Sequence, residues 1–176
     1  MEINLERIKS PVDLDKIRNL YISSFPAPER REFHELVDML DLLECSVCLI
    51  KIPRGKIAGF CIAWDFEMFA FIEHFAIEPD FCGLGIGGEV LSIFNNKYPV
   101  IILETETPVN VINQRRINFY QRNGFRLLDL KYFQPSYGKN KPEIELKLMS
   151  TNIEFSSETL DECIHLIRER VYRKFF

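Results

Sequence analysis

The sequence predicts a single mixed α/β domain with a mostly antiparallel central sheet and helices on both faces. Three observations predict it. Three strand-like runs follow one another between Cys45 and Ile77 with no helix between them, an order that suits antiparallel pairing. A strand, a glycine-rich turn, a helix and a further strand then succeed each other between Phe69 and Glu106, the order of one parallel crossover unit. The chain has 176 residues, 47% of them apolar and 27% charged, which is the size of one ordinary domain with a full core.

Ile3, Leu5 and Ile8 open the chain as a strand. Ser10-Pro11-Val12-Asp13 supplies a helix N-cap, a proline at the first helical position and an acid in the first turn. Leu14, Ile17 and Tyr21 continue at helical spacing, so a first helix is expected to about Ser24, where Phe25-Pro26-Ala27-Pro28 breaks it. A second helix is expected from Glu29 to Asp41, with Phe33, Leu36, Val37 and Leu40 on one stripe. Strands at about Cys45–Pro53 and Lys56–Asp65 flank Arg54-Gly55, a short hairpin turn. A third strand, Phe69–Ile77, leads through Glu78-Pro79-Asp80 into the glycine turn. Ile86, Val90, Leu91 and Phe94 mark the helix beyond it, which stops before Pro99. Val100–Glu106 reads as a strand, and Ile112–Asn123 as a helix closed by Gly124. Phe125–Phe133 and Glu143–Met149 are the last expected strands, and Ser157–Lys174 is a final amphipathic helix. Residues 1–150 thus form the main domain, and residues 151–176 a helical extension packed on it.

Composition narrows the function classes. The formal net charge is -4 and no block of Lys or Arg stands out, whereas nucleic-acid binders cluster cations against phosphates. No apolar stretch approaches the ~20 residues of a membrane span. The five cysteines are an odd number, four lie in apolar segments, and nothing reads as a signal peptide, so a cytoplasmic location is expected. Cys45-Ser-Val-Cys48 has metal-site spacing, but in a strand its two thiols point to opposite faces and no second Cys/His pair completes a site. No metal is expected.

The chemistry concentrates in Gly83-Leu84-Gly85-Ile86-Gly87-Gly88. Glycines there let the backbone approach a ligand, and the first N–H groups of the helix have no partner within it. Such a turn suits a pyrophosphate. The spacing Gly83-x-Gly85-x-x-Gly88 also fits a dinucleotide fingerprint, with Glu104 at the distance of a ribose-binding acid. Against that, Glu78 to Cys82 separate the strand from the first glycine, and the unit follows a run of antiparallel strands. A nucleoside-triphosphate loop would end in Gly-Lys-Ser/Thr; this one ends in Gly87-Gly88-Glu89.

Phe75-Ala76-Ile77-Glu78-Pro79-Asp80-Phe81-Cys82-Gly83-Leu84-Gly85-Ile86-Gly87-Gly88 resembles the acetyl-CoA-binding segment of the GNAT superfamily of N-acyltransferases. Asn113 to Phe125, an Asn seven residues before Tyr120 and then Gly-Phe, resembles that superfamily's second motif. Ser24-Phe-Pro-Ala-Pro-Glu-Arg-Arg31, Phe133-Gln-Pro-Ser-Tyr137 and Ile144 to Met149 are similar to a bacterial branch of it. Cys82 stands where members commonly carry Arg, and Arg116 where many have a small residue.

The resemblance implies a transferase that moves an acetyl group from acetyl-CoA to a primary amine, on a small molecule or peptide. It implies a cofactor diphosphate on the N–H groups of Cys82, Gly83, Leu84, Gly85, Ile86, Gly87 and Gly88, and a pantetheine arm along Phe75, Ala76 and Ile77. Asn113 and Tyr120 lie seven residues apart, on nearly one helix face, and the family role of Tyr120 is general acid. The attacking amine must shed a proton, so a base is expected. Ideal alternation puts Glu73 on the face of Phe71, Phe75 and Ile77, which makes it the candidate; a strand bulge would flip that face, and Glu104 and Glu106 are rivals. His74 is expected on the opposite face as a hydrogen-bonded histidine. The alternatives are a non-catalytic acyl-CoA-binding module on the same fold and, less well supported, a dinucleotide-binding protein. The terminal helix either covers the sheet or forms a homodimer contact.

Overall fold

The computed structural model describes residues 2–152 and 154–175. Its eight strands are β1 (Asn4–Arg7), β2 (Cys45–Ile52), β3 (Lys56–Asp65), β4 (Ala70–Ile77), β5 (Ile101–Glu106), β6 (Arg126–Leu127), β7 (Tyr132–Gln134) and β8 (Ile144–Ser150). They form one sheet in the order β1-β2-β3-β4-β5-β8-β6, with β7 also on β8. β4 and β5 pair in parallel and the other pairs are antiparallel, as the sequence order requires.

Alternation along the strands fills both faces. Val47, Leu49, Phe60, Ile62 and Trp64 face one core with Tyr21, Leu36 and Ile167, while Cys48, Ile50, Cys61 and Ala63 face another with Val90, Phe94 and Ile117. Cys45 and Cys48 accordingly fall on opposite faces. The first face carries α1 (Pro11–Leu14), α2 (Arg18–Ser24) and α5 (Ser157–Ile167); the second carries α3 (Ile86–Lys97) and α4 (Val111–Arg122). None of the helices among the described residues is long and apolar enough to cross a membrane.

Three elements depart from expectation for local reasons. The helix expected over 29–41 is two 3-10 turns, Ala27–Glu29 and Phe33–Met39. Phe33, Leu36 and Met39 are buried at intervals of three, the 3-10 repeat, while Val37 is left exposed. The strand expected over 125–133 breaks into β6 and β7, which pair with opposite ends of β8. The first helix is interrupted by a 3-10 turn at Asp15–Ile17, although its Ser10 cap forms as read, accepting from the Asp13 N–H at 3.1 Å. At the β2–β3 hairpin Arg54 (φ 68°) and Gly55 (φ 72°) are both left-handed, the conformation that matches a tight hairpin to strand twist.

What positions the site is a defect in β4. Ile62 opposes His74 and Ala63 opposes Ile72, so Glu73 is an extra residue in the ladder. Such a bulge bends its strand. The β4–β5 pairing covers Ala70–Ile72 against Ile101–Leu103 and ends there. Beyond that point β4 and β5 splay apart, leaving one edge of Phe75–Ile77 without a strand partner.

Candidate active site

A cavity of about 800 Å³ fills the splay and passes through the plane of the sheet. Its lining includes Glu73 to Ile77 on one wall and Leu103 to Glu106 on the other. Phe119, Tyr120 and the glycine turn close it on the face of α3 and α4; Phe25, Glu29, Gln134 and Leu146 close it on the opposite face.

The glycine turn has the geometry of an anion cradle. Gly83 and Gly85 are left-handed, at φ +78° and +81°, and a Cβ on either would meet open space. A Cβ on Gly87 would sit 3.0 Å from Phe119 Cζ, so glycine is needed there for close packing of α4 on α3. Gly85 caps α3 without a side-chain hydrogen bond, which leaves the first N–H groups of a twelve-residue helix available, with the positive end of its dipole. Asn123 Oδ1 lies 3.1 Å from where a Cβ on Gly88 would be, and Arg122, beside Asn123 in the chain, lines the cavity. Arg122 supplies a cation to this wall where Cys82 does not. These features fit a coenzyme diphosphate: N–H donors, room and one guanidinium.

Most of the expected binding residues line the cavity: Phe75, Ala76, Ile77, Cys82, Gly83, Gly85, Ile86, Gly87, Gly88 and Tyr120, although the Cys82 N–H expected to hold a diphosphate instead donates to the Pro79 carbonyl at 3.2 Å. Leu84 and Asn113 do not. Leu84 projects into solvent at 57% exposure. Asn113 is buried and its Nδ2 donates to the Thr107 carbonyl at 3.0 Å, tying the start of α4 to the loop after β5.

Tyr120 is buried beside Phe119 and Phe125, with its ring centroid 5.2 and 5.7 Å from theirs. Burial pushes its phenol up to about 12, against the opposing pull of Arg116. It therefore keeps its proton across the neutral range.

The expected face of Glu73 needs correction. Phe71 lies on the first face of the sheet and Phe75 and Ile77 on the second, because the bulge at Glu73 resets the alternation. Glu73 turns to the first face, where three donors hold it. Oε1 accepts from Arg31 Nε at 3.1 Å and from the Tyr137 hydroxyl at 2.9 Å; Oε2 accepts from Trp64 Nε1 at 2.6 Å. The Arg31 and Glu73 side chains are both 0% exposed. His74, expected opposite Glu73, shares its side: its Nδ1 is 3.7 Å from Glu73 Oε1. It is a hydrogen-bonded histidine as expected, with Nε2 3.1 Å from the Glu29 carbonyl. Burial holds its imidazole down at about 4, so Nε2 is the donor and the ring is neutral.

Glu104 is different. It is partly open to the cavity, and its donors are two phenols: Tyr132 donates to Oε1, and Tyr172 to Oε2 at 2.6 Å. Burial raises its carboxyl from 4.5 to about 7; the phenols pull it down, and Glu73 and Glu29 push it up. Glu106 is engaged in an ion pair with Arg116. Arg31, Trp64, Tyr132, Tyr137 and Tyr172 are not among the residues expected at the site. Arg31 and Tyr137 do lie within the Ser24–Arg31 and Phe133–Tyr137 stretches quoted for the bacterial branch, the one signal that pointed toward them.

Comparison with known proteins places this geometry. Residues 44–127 match the acetyltransferase (GNAT) domain. A Bacteroides thetaiotaomicron protein assigned to the GNAT family as an acetyltransferase is 30% identical, with 98% of each chain covered and a TM-score of 0.83. Bacillus subtilis YjbC, classed as an acetyltransferase, is 28% identical over 102 residues, 55% of this chain; the match spans about half of YjbC, 53% of its length. A Vibrio cholerae spermidine N-acetyltransferase, solved with CoA and spermine, shares the fold at a TM-score of 0.58 and 17% identity, covering 84% of this chain and 94% of that one. The cradle, the splayed strands and the full-length likeness to the Bacteroides protein agree: this chain belongs to the GNAT family of acetyltransferases.

Proposed function

We propose that this chain transfers an acetyl group from acetyl-CoA to a primary amine by direct attack, with Tyr120 as general acid and Glu104 as general base. The observation that carries the proposal is one continuous cavity from the glycine turn, past Tyr120, to Glu104. The N–H groups at the start of α3, Arg122 and the open edge of Phe75–Ile77 would hold acetyl-CoA, which supplies the thioester-activated acyl group.

A lysine-type amine arrives protonated, with a pKa of about 10.4. Glu104 can take that proton, directly or through a water molecule, because two donors leave roughly half of a carboxylate's four acceptor sites unused. With its carboxyl near 7 it is a base suited to neutral pH. Glu73, the base expected from alternation, supports that role less well: an internal guanidinium already neutralises it and three donors occupy it. Glu29, whose carboxyl is raised by burial, lines the same end of the cavity and adds acidic character that suits a cationic acceptor. Tyr120, always protonated in the working range, donates a hydrogen bond to the sulfur as the thiolate departs. All five cysteines are free thiols, which supports a reducing compartment such as the cytoplasm.

A thiol-release assay with acetyl-CoA across polyamines, aminoglycosides, amino acids and peptides tests this. Tyr120→Phe is expected to lower kcat about 100-fold with CoA affinity little changed, and Glu104→Gln to lower kcat/KM by a similar factor. CoA binding without thiol release for every amine would make the chain a non-catalytic acyl-CoA-binding module. Unchanged turnover in Tyr120→Phe would remove that residue from the acid role.

A further inference from the structure

The last described segment, residues 168–175, is built into the cleft. Past Ile167, α5 changes to π geometry over Arg168–Tyr172, a rare insertion into a helix that recurs at functional sites. This turn delivers Tyr172, 1% exposed, to donate to Glu104 Oε2. The Arg168 guanidinium lies 5.9 Å from the ring centroid of Tyr132, the other donor to Glu104. Tyr172 packs on Tyr137, centroids 4.9 Å apart, and Tyr137 donates to Glu73. The Val171 carbonyl accepts from Arg31, and Phe175 lies 4.4 Å from the Arg31 guanidinium. On the outer side Arg170 and Lys174 pair with Glu44 at 3.0 and 2.8 Å. A helix that merely covered the sheet would bury apolar groups alone; this segment also commits a phenol to Glu104 and a carbonyl to Arg31, the ion-pair partner of Glu73.

We infer that Tyr172 is a positioning residue of the transferase, fixing the orientation and charge state of Glu104, and that the C-terminal segment is therefore part of the active site. This inference rests on Glu104 being the base. The charged groups around Glu104 are otherwise committed. Arg31 neutralises Glu73, Arg116 pairs with Glu106, and Arg168 lies over the Tyr132 ring. His74 is uncharged at neutral pH, Glu29 adds negative charge, and Tyr120, Tyr132 and Tyr137 stay protonated. The Tyr172 hydroxyl is the donor whose loss shifts the balance toward the protonated carboxyl.

The test is the pH profile of kcat/KM for the full-length wild type, Tyr172→Phe and Glu104→Gln, with acetyl-CoA and an amine accepted in the panel. Because the hydroxyl favours the anion, Tyr172→Phe should move the acid limb up by about one pH unit, while Glu104→Gln should abolish the limb. A limb unmoved in Tyr172→Phe but lost in Glu104→Gln overturns the inference and leaves the base assignment standing. A limb retained in Glu104→Gln overturns the base assignment itself. A carbon-13 carboxyl titration of Glu104 in Tyr172→Phe should show the same upward shift without turnover, and no shift there would equally overturn the inference.

Discussion

On the proposed coenzyme side the cleft is made of backbone, a left-handed glycine turn, a helix start and a strand edge, all within Phe75–Gly88. On the proposed acceptor side it is made of side chains drawn from across the chain, Arg31, Trp64, Glu73, Glu104, Tyr132, Tyr137 and Tyr172. The first half needs only local conformation. The second exists when the whole fold exists, because each carboxylate is held by partners far away in sequence. Substitutions in the first half should therefore disturb ligand binding with modest cost to the fold, and substitutions in the second should disturb stability and chemistry together.

The largest expected effect breaks the acceptor side at its buried ion pair. Arg31→Met strands Glu73, a fully buried carboxylate, and should cost about 3–5 kcal/mol of unfolding free energy. Urea denaturation measures it. A loss under about 1 kcal/mol, the range of an exposed pair, would mean that Arg31 does not hold the site together.

A smaller effect sharpens the comparison through pH. Glu104 has a folded pKa raised from 4.5 to about 7. Its contribution to stability is complete below the unfolded value and is lost as pH rises through the folded one. Glu104→Gln lacks that loss, so the variant should gain on the order of 2 kcal/mol relative to wild type between pH 5 and pH 8. Denaturation curves at the two pH values check this. A stability difference independent of pH would remove the strained carboxylate from the account.

The same contrast explains what could be read from the sequence. The strand order, the single parallel unit and the glycine turn are written in local patterns: Arg54-Gly55 for a hairpin, Gly83 and Gly85 for positive φ, Ser10 for a helix cap. Most of the residues that the family resemblance implied for the coenzyme do line the cavity, with Leu84 and Asn113 outside it. Alternation failed at Glu73 because a bulge is a property of two paired strands; nothing in Phe71-Ile72-Glu73-His74 alone says that Ile62 and Ala63 will oppose His74 and Ile72. Glu104 was visible as a rival base, but its phenol partners come from β7 and the last helical turns, contacts that only the packed fold brings together. The helix expected over 29–41 failed for a related reason, since burial at intervals of three was decided by the surface it packs on. The terminal helix was foreseen and its reach into the cleft was not.

The most direct measurement is calorimetric titration of coenzyme A into wild type, Glu104→Gln and Gly85→Val. Gly85 sits at φ +81°, where a β-branched residue is strained enough to displace the N–H groups of the turn. Binding by wild type is expected, with near-equal binding by Glu104→Gln and at least a tenfold loss in a Gly85→Val protein that remains folded. No heat from wild type, or equal affinity in all three, would contradict that expectation.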